Sequence, residues 1–350
     1  MDKVQMSHGA GGKAMQDFLK EHVLKFLEGS GQKLGVEALD DSAVVKNIVF
    51  TTDSHTPKPL FFPGGDVGSL SVCGTVNDLA VMGAEPIGLG LGMVLEEGFS
   101  LSDFERIMKS IKTSSGKANV PIVTGDTKVV ERGAVEGIII NTSGIGMRHH
   151  LMEGNLETAR YVRKLKHDWL TDTNAAAGDV IIVTGTVGDH GLALMSHREG
   201  YGFESTLESD VAPLNHLMTK ALGARGVVSA KDCTRGGLAN ALNEWADKSD
   251  VGIVVQEDAI PVRKEVRAAA DMLGIDPFEV GNEGKAILAV VPGNAEKVLE
   301  AVRSVPEGTN AAIIGKVDDG IKKGMVVLET SVGGRRVMES PIGDPVPRIC

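Results

Sequence analysis

The sequence predicts an α/β (α+β) protein of two domains with mixed sheets and a flexible C-terminal arm. Three observations carry this. Short β-branched runs alternate with amphipathic stretches along most of the chain. Its 350 residues exceed the usual span of one domain. No GxGxxG follows any strand, which excludes a dinucleotide-binding Rossmann unit. Boundaries are expected at 1–150 and 151–340, with 341–350 as the arm.

Taken in order, His8-Gly9-Ala10-Gly11-Gly12-Lys13 opens into an amphipathic helix that carries Met15, Phe18, Leu19, Val23, Phe26 and Leu27 on one face. Backbone N–H groups at such a start suit an anion, although a simple N-terminal turn accounts for the segment equally well. It is not a Walker A loop, because Ala14 stands where Ser or Thr would bind magnesium. Apolar runs at 43–45 and 48–50 deliver Thr51-Thr52-Asp53-Ser54-His55, which places a carboxylate at a strand end. The same grammar returns at 121–124 before Gly125-Asp126-Thr127-Lys128 and at 180–184 before Gly188-Asp189-His190-Gly191. Between the first two, 67–82 reads as a helix with Asn77-Asp78 near its middle and small residues that permit close packing, Cys73 among them. Residues 87–95 read as a glycine-rich strand, 101–111 as a helix and 135–147 as one or two strands. The stretch 148–179 is basic with little periodic apolar content, and is expected to be a connection with a solvated, charged face. Beyond it, strands are expected at 180–184, 253–256, 286–291, 311–315 and 325–328, and helices at 191–197, 211–222, 238–245, 266–273 and 295–302.

Composition narrows the function. A net charge of −11 argues against a nucleic-acid surface. Cys73, Cys233 and Cys350 have neither CxxC nor Cys/His spacing, so a zinc site and a disulfide framework are both unsupported and a reducing cytoplasm is the expected home. The start lacks a signal-peptide core, and no run approaches the roughly 18–20 apolar residues that span a bilayer. Cysteine stands last, not fourth from the end, so the tail is no prenylation site.

That tail reads PIGDPVPRIC. Pro341, Pro345 and Pro347 fix φ and remove donors, so an extended arm is expected rather than a helix. Ten extended residues reach up to about 33 Å, enough to carry a thiol into a cleft. The α-carboxylate beside the sulfur of Cys350 disfavours thiolate, so reactivity needs a cationic or desolvating pocket. A frayed end explains the tail alone as well as a reactive arm does.

Acidic residues set among glycines or at strand ends are Asp40, Asp41, Asp53, Asp66, Asp78, Asp126, Asp189, Asp232 and Glu283. With Lys128 they suggest a magnesium–nucleotide site built without a P-loop; turn-forming aspartates are the plainer alternative. Cys233, in Asp232-Cys233-Thr234-Arg235-Gly236-Gly237, reads as structural rather than nucleophilic.

HGAGG, DDSAVV, TTDSH, FFPGGDVG, GTVNDLA, GDTKVV, GDHG, DCTRGGLA, NEGK and the final PRIC together resemble the hydrogenase maturation carbamoyl dehydratase family, HypE. That family lies within the superfamily of aminoimidazole ribonucleotide synthetase and selenophosphate synthetase. The likeness covers essentially the whole chain; the aspartate motifs specify the superfamily and PRIC the member. It implies the two-domain fold of aminoimidazole ribonucleotide synthetase and an ATP-dependent dehydration. A carbamoyltransferase partner loads Cys350, the oxygen of the resulting thiocarboxamide is phosphorylated, and loss of phosphate leaves a thiocyanate. The cyanide then passes to an iron-carrying hydrogenase maturation scaffold. By motif matching, Asp41, Asp53, Asp78, Asp126 and Asp232 are implied as Mg2+ ligands, with Asp53, Asp78, Asp126, Thr127 and Asp232 on the nucleotide. Lys128 and Glu283 are implied at the reacting group, and His8, Gly11 and Gly12 near the phosphates. A homodimer through the N-terminal domains is implied as well. The stretch 148–179 looks longer and more basic than the family's usual connection. A small-molecule kinase or synthetase of the same superfamily is the nearest alternative, and a thiol carrier that does not hydrolyse ATP the next. Selenophosphate synthetase would want a cysteine or selenocysteine in the N-terminal glycine-rich loop, and none precedes Cys73.

Overall fold

A computed structural model describes residues 3–27, 34–199, 207–343, 346 and 348–350. Pro345 and Pro347, two of the prolines behind the expectation of an extended arm, lie outside the described residues.

Five strands form the N-terminal sheet: β1 (Ala43–Val45), β2 (Ile48–His55), β3 (Ala84–Glu96), β4 (Ile122–Val130) and β5 (Ile138–Arg148), in the order β1-β2-β5-β3-β4. The β3–β4 pair is parallel and the others antiparallel, so the sheet is mixed. One face packs on helices α2 (Val67–Val81) and α3 (Leu101–Ala118), which follow the short α1 (Gly12–Leu19). Strict alternation in β2 sends Val49, Thr51 and His55 inward and leaves Ile48, Phe50 and Thr52 outward.

The C-terminal sheet holds β6 (Val180–Val183), β7 (Val227–Asp232), β8 (Gly252–Gln256), β9 (Ala286–Val290), β10 (Ala312–Val317), β11 (Met325–Glu329) and β12 (Arg335–Val337). Their order is β12-β11-β8-β10-β6-β9-β7, again mixed, with β8–β11 parallel. Helices α4 (Met152–Val162), α5 (Asp189–Glu199), α6 (Asn215–Ala224), α7 (Gly237–Ser249), α8 (Lys264–Leu273) and α9 (Ala295–Arg303) belong to this half. Trp245 of α7 sits fully buried among β8, β10 and β11 residues, while α6 and α9 cover the strands β6, β7 and β9 from a second cluster.

One expectation needs correction. The stretch 148–179 is not a solvated connection: α4 buries Met152, Leu156 and Ala159, and Trp169, Leu170 and Ala175 are buried beyond it. Its basic residues obscured this, because Arg163 reaches inward to the fully buried carboxylate of Asp179, with Arg163 Nη1 donating to Asp179 Oδ1 at 2.7 Å. An arginine can bury its stem while satisfying a buried acid, so charge content alone does not mark a solvated face.

Candidate active site

The helix α2 runs through the interior, with most of its residues buried. Asp66 caps it, its Oδ1 accepting from the N–H groups of Gly68 and Ser69 at 2.8 and 2.9 Å. That accounts for Asp66 as a helix-starting residue. Twelve residues on, Asp78 is carried into the molecule, where Thr51 Oγ1 of β2 donates to its Oδ2 at 2.8 Å.

Asp78 lines a cavity of about 420 Å³ between the two halves of the chain. Asp41 and Asp53 border it from the N-terminal half, Asp232 at the end of β7 and Glu283 before β9 from the other, and Cys350 enters the same wall. Gly11 and Gly12 also line it. Gly12 has φ +64 and lies so close to the tail that a Cβ there would meet Pro341 O at 2.2 Å. Only glycine fits that approach.

Of the residues expected from the sequence, Asp41, Asp53, Asp78, Asp232, Glu283, Gly11, Gly12 and Cys350 come together. His8 does not border the cavity; its ring stacks on Phe18 with centroids 4.8 Å apart. Asp126, Thr127 and Lys128 are exposed on β4, the sheet edge, outside the cavity wall of their own chain, with Lys128 Nζ 3.9 Å from Asp126 Oδ2. Asp189 stands elsewhere, paired with Arg263. Cys73 and Cys233 are buried, and burial pushes the Cys73 thiol up to about 12, so neither competes as a nucleophile.

Sequence reasoning missed the cations of this wall. Lys231 of β7 lies 2.7 Å from Asp41, 3.0 Å from Glu244 and 3.2 Å from Asp172. Lys248 of α7 adds a 2.7 Å pair to Asp172, whose other oxygen accepts from Trp245 Nε1 at 3.0 Å. Burial opposes the charge on Lys231, but Asp172, Asp41 and Glu244 outweigh it and hold its ammonium well above the ordinary lysine range. The available signal was a lysine placed directly before Asp232, three residues after Val227-Val228.

Carboxyl groups still outnumber the ammonium groups, and they raise one another's pKa. Burial, then Asp41, raises Asp232 to about 8; burial, then Asp172, raises Asp40 to about 7. Asp78 is held well above its usual range by burial first and then by Asp232, Asp53 and Asp41. Glu283 is raised by burial and then by Asp232, Asp53 and Asp210. Among the described residues, Asp232 Oδ2 and Glu283 Oε1 are buried and accept no hydrogen bond. Hard oxygen donors that line one cavity, repel one another and are partly unsatisfied have the chemistry a divalent cation of the magnesium type takes, although among the described residues no three of them meet within 4.8 Å.

Two family models match the chain, the AIR synthase related protein N-terminal domain over residues 39–148 and its C-terminal domain over 176–327. The carbamoyl dehydratase HypE of Azotobacter vinelandii is 43% identical, covering 99% of this chain and 97% of its own. The chain belongs to the carbamoyl dehydratase HypE family. Two solved HypE structures share its fold. One, a hydrogenase maturation protein HypE in complex with ATP, gives TM-score 0.79 at 37% identity over 99% of this chain and 100% of that one. The other, a HypE–HypF complex, gives 0.83 at 40% identity over 93% of this chain and 99% of that one.

Proposed function

We propose that this HypE-family chain dehydrates a carbamoyl group carried on Cys350 to a thiocyanate at the expense of ATP, supplying cyanide for nickel–iron hydrogenase maturation. The observation that carries the reading is the presence of Cys350 in the same cavity wall as the buried carboxylates. Amide oxygen is a poor leaving group. Transfer of the γ-phosphate to it makes departure as phosphate possible, and removal of the nitrogen's protons then completes the C≡N bond, with ADP and phosphate as products. Phosphoryl transfer needs positioning and charge neutralisation, which suits a wall of this kind.

Asp41, Asp53, Asp78 and Asp232 would hold magnesium, which would neutralise phosphate charge. Glu283 is suited to take a proton from the carbamoyl nitrogen, because a carboxylate in so poorly solvated a place is a stronger base than one in water. The loading partner is a carbamoyltransferase, for which the solved HypE–HypF complex is the precedent. The product goes to an iron-carrying scaffold.

Asp126, Thr127 and Lys128 enter this scheme from a second copy of the chain. The outer face of the N-terminal sheet leaves Ile48, Phe50, Ile145 and Met147 exposed in adjacent registers, Phe50 opposite Ile145 and Ile48 opposite Met147. Contiguous apolar surface of that kind marks an interface, and a two-fold dimer would let β4 of one copy reach the other's cavity.

Two experiments test these points. With a carbamoyl donor and ATP, intact mass should show the loaded tail losing one water, about 18 Da, in step with ADP formation. Cys350→Ala should show neither event, and ATP-coupled mass loss in that variant would defeat the tail assignment. Asp126→Asn and Asp78→Asn should each be inactive alone. An equal mixture, unfolded and refolded together, should recover about a quarter of wild-type turnover if sites are shared across a two-fold dimer. No recovery would defeat the sharing of sites between two copies.

A further inference from the structure

Arg348 and Ile349, the two residues before the cysteine, are both seated against the body of the molecule. Arg348 binds the N-terminal half: its carbonyl accepts from Lys58 N–H at 3.0 Å, its Nε donates to Thr56 O at 3.1 Å and its Nη1 pairs with Glu136 at 2.6 Å. Its φ of +58 departs from the extended arm expected from the prolines. Ile349 belongs to an apolar cluster drawn from both halves. It is 1% exposed and packs in a cluster with Phe62, Leu192, Val280 and Val346.

His190 meets the backbone of Ile349. The ring is fully buried at the start of α5, and its Nε2 lies 2.8 Å from Ile349 O. A carbonyl only accepts, so Nε2 carries the proton and Nδ1 accepts from Ser209 Oγ at 2.7 Å. The Ser209 oxygen in turn accepts from Val211 N–H at 3.1 Å. Every polar atom in this relay is satisfied when Ile349 is in place. When the tail leaves, the Nε2–H exchanges this carbonyl for solvent and the net hydrogen bond is lost. Gly281 completes the socket: a Cβ there would stand 2.4 Å from Ile349 Cδ1 and 3.0 Å from Thr234 O.

We propose that the chain recognises its own tail through Ile349, with His190 as the positioning residue and Gly281 as the slot that sets how far Cys350 reaches into the cavity. The consequence for turnover rests on the dehydratase reading; the docking of the tail does not. Among the described residues the hydrogen bonds of His190 go to Ser209 and to Ile349 O, so it acts through the backbone of the residue before the one that reacts.

Iodoacetamide labelling followed by intact mass measures docking directly, since Cys73 and Cys233 are 2% and 0% exposed and Cys350 is the accessible thiol of the three. His190→Phe keeps the ring and removes the donor, and should speed labelling of Cys350 by up to about tenfold, the upper range for one net hydrogen bond. His190→Gln, which restores an N–H donor, should recover part of the protection. In single turnovers of pre-carbamoylated protein, His190→Phe should lower the maximal rate of water loss by a similar factor while the ATP concentration for half-maximal rate stays unchanged. Gly281→Ala should slow the same step, and Gly281→Ala combined with Ile349→Val, which removes Cδ1, should restore most of it. Wild-type labelling rates in His190→Phe, or a double variant no faster than Gly281→Ala, would overturn the proposal. Water loss from wild type in the same assay reports on the dehydratase reading independently.

Discussion

The acidic wall lines the cavity that Cys350 enters, the socket holds the residue before that cysteine, and the two are built on opposite principles. Around Asp232 the wall collects like charges, leaves buried oxygens without donors and raises carboxyl pKa values to about 7 and about 8 at Asp40 and Asp232. In the socket each polar atom of the His190 relay is matched and the apolar residues close on Ile349. Electrostatic strain concentrates where a highly charged substrate has to be neutralised, and good packing where a flexible segment has to be held. The wall should therefore lose function when it is relieved of charge. The socket should lose registration of the tail and little else.

The largest effect is expected at the one cation that balances the wall from β7. Lys231→Met keeps most of the volume but strands Asp41 and leaves Asp172 and Glu244 to Lys248 alone, and should destabilise the fold by about 3–5 kcal/mol. Urea denaturation with a two-state fit measures it. A loss below about 1 kcal/mol would mean that Lys248 alone compensates the cluster.

A smaller effect separates the wall from ordinary carboxylates by its pH dependence. Asp232 and Asp40 have folded-state values raised from 3.8 to about 8 and about 7. The folded state thus binds their protons more tightly than the unfolded state does, so their contribution is favourable near pH 4 and is lost as pH rises through 8. Asp232→Asn should flatten the fall in the urea midpoint between pH 5 and pH 8, and magnesium chloride should do the same to wild type. A midpoint with the same pH slope in variant and wild type would remove Asp232 from the strained set.

Much of this was legible in the sequence, for physical reasons that also explain the gaps. Helix α2 and strands β2, β6 and β9 announced themselves because half-buried or fully buried apolar runs have few other uses. The cavity carboxylates could be chosen because acids beside glycine turns differ from acids on lysine-rich helices. Strand β7 escaped because its six buried residues include Ser229, Lys231 and Asp232, which blur both apolar patterns. Helix α4 escaped because Glu153, Glu157 and Arg160 are interleaved with its buried residues Met152, Leu156 and Ala159. The roles of Lys231 and His190 depend on partners 190 and 159 positions away, Asp41 and Ile349, and no local pattern encodes those meetings.

The smallest expected effect is the most informative about the socket. A buried isoleucine truncated to alanine ordinarily costs about 2–5 kcal/mol, because the surrounding core keeps the cavity. Ile349 belongs to a segment near the end of the chain, so an Ile349→Ala protein has a cheaper response: the tail undocks and the loss is capped at the free energy of docking. Ile349→Ala should therefore shift the urea midpoint by an amount worth less than about 1 kcal/mol while labelling of Cys350 accelerates as far as it does in His190→Phe. The two readouts pull apart only if the tail opens independently of the rest. A full core-sized loss of stability would instead make Ile349 an integral part of the cluster with Phe62, Leu192 and Val280, and outward motion of Cys350 would then require unfolding part of the domain.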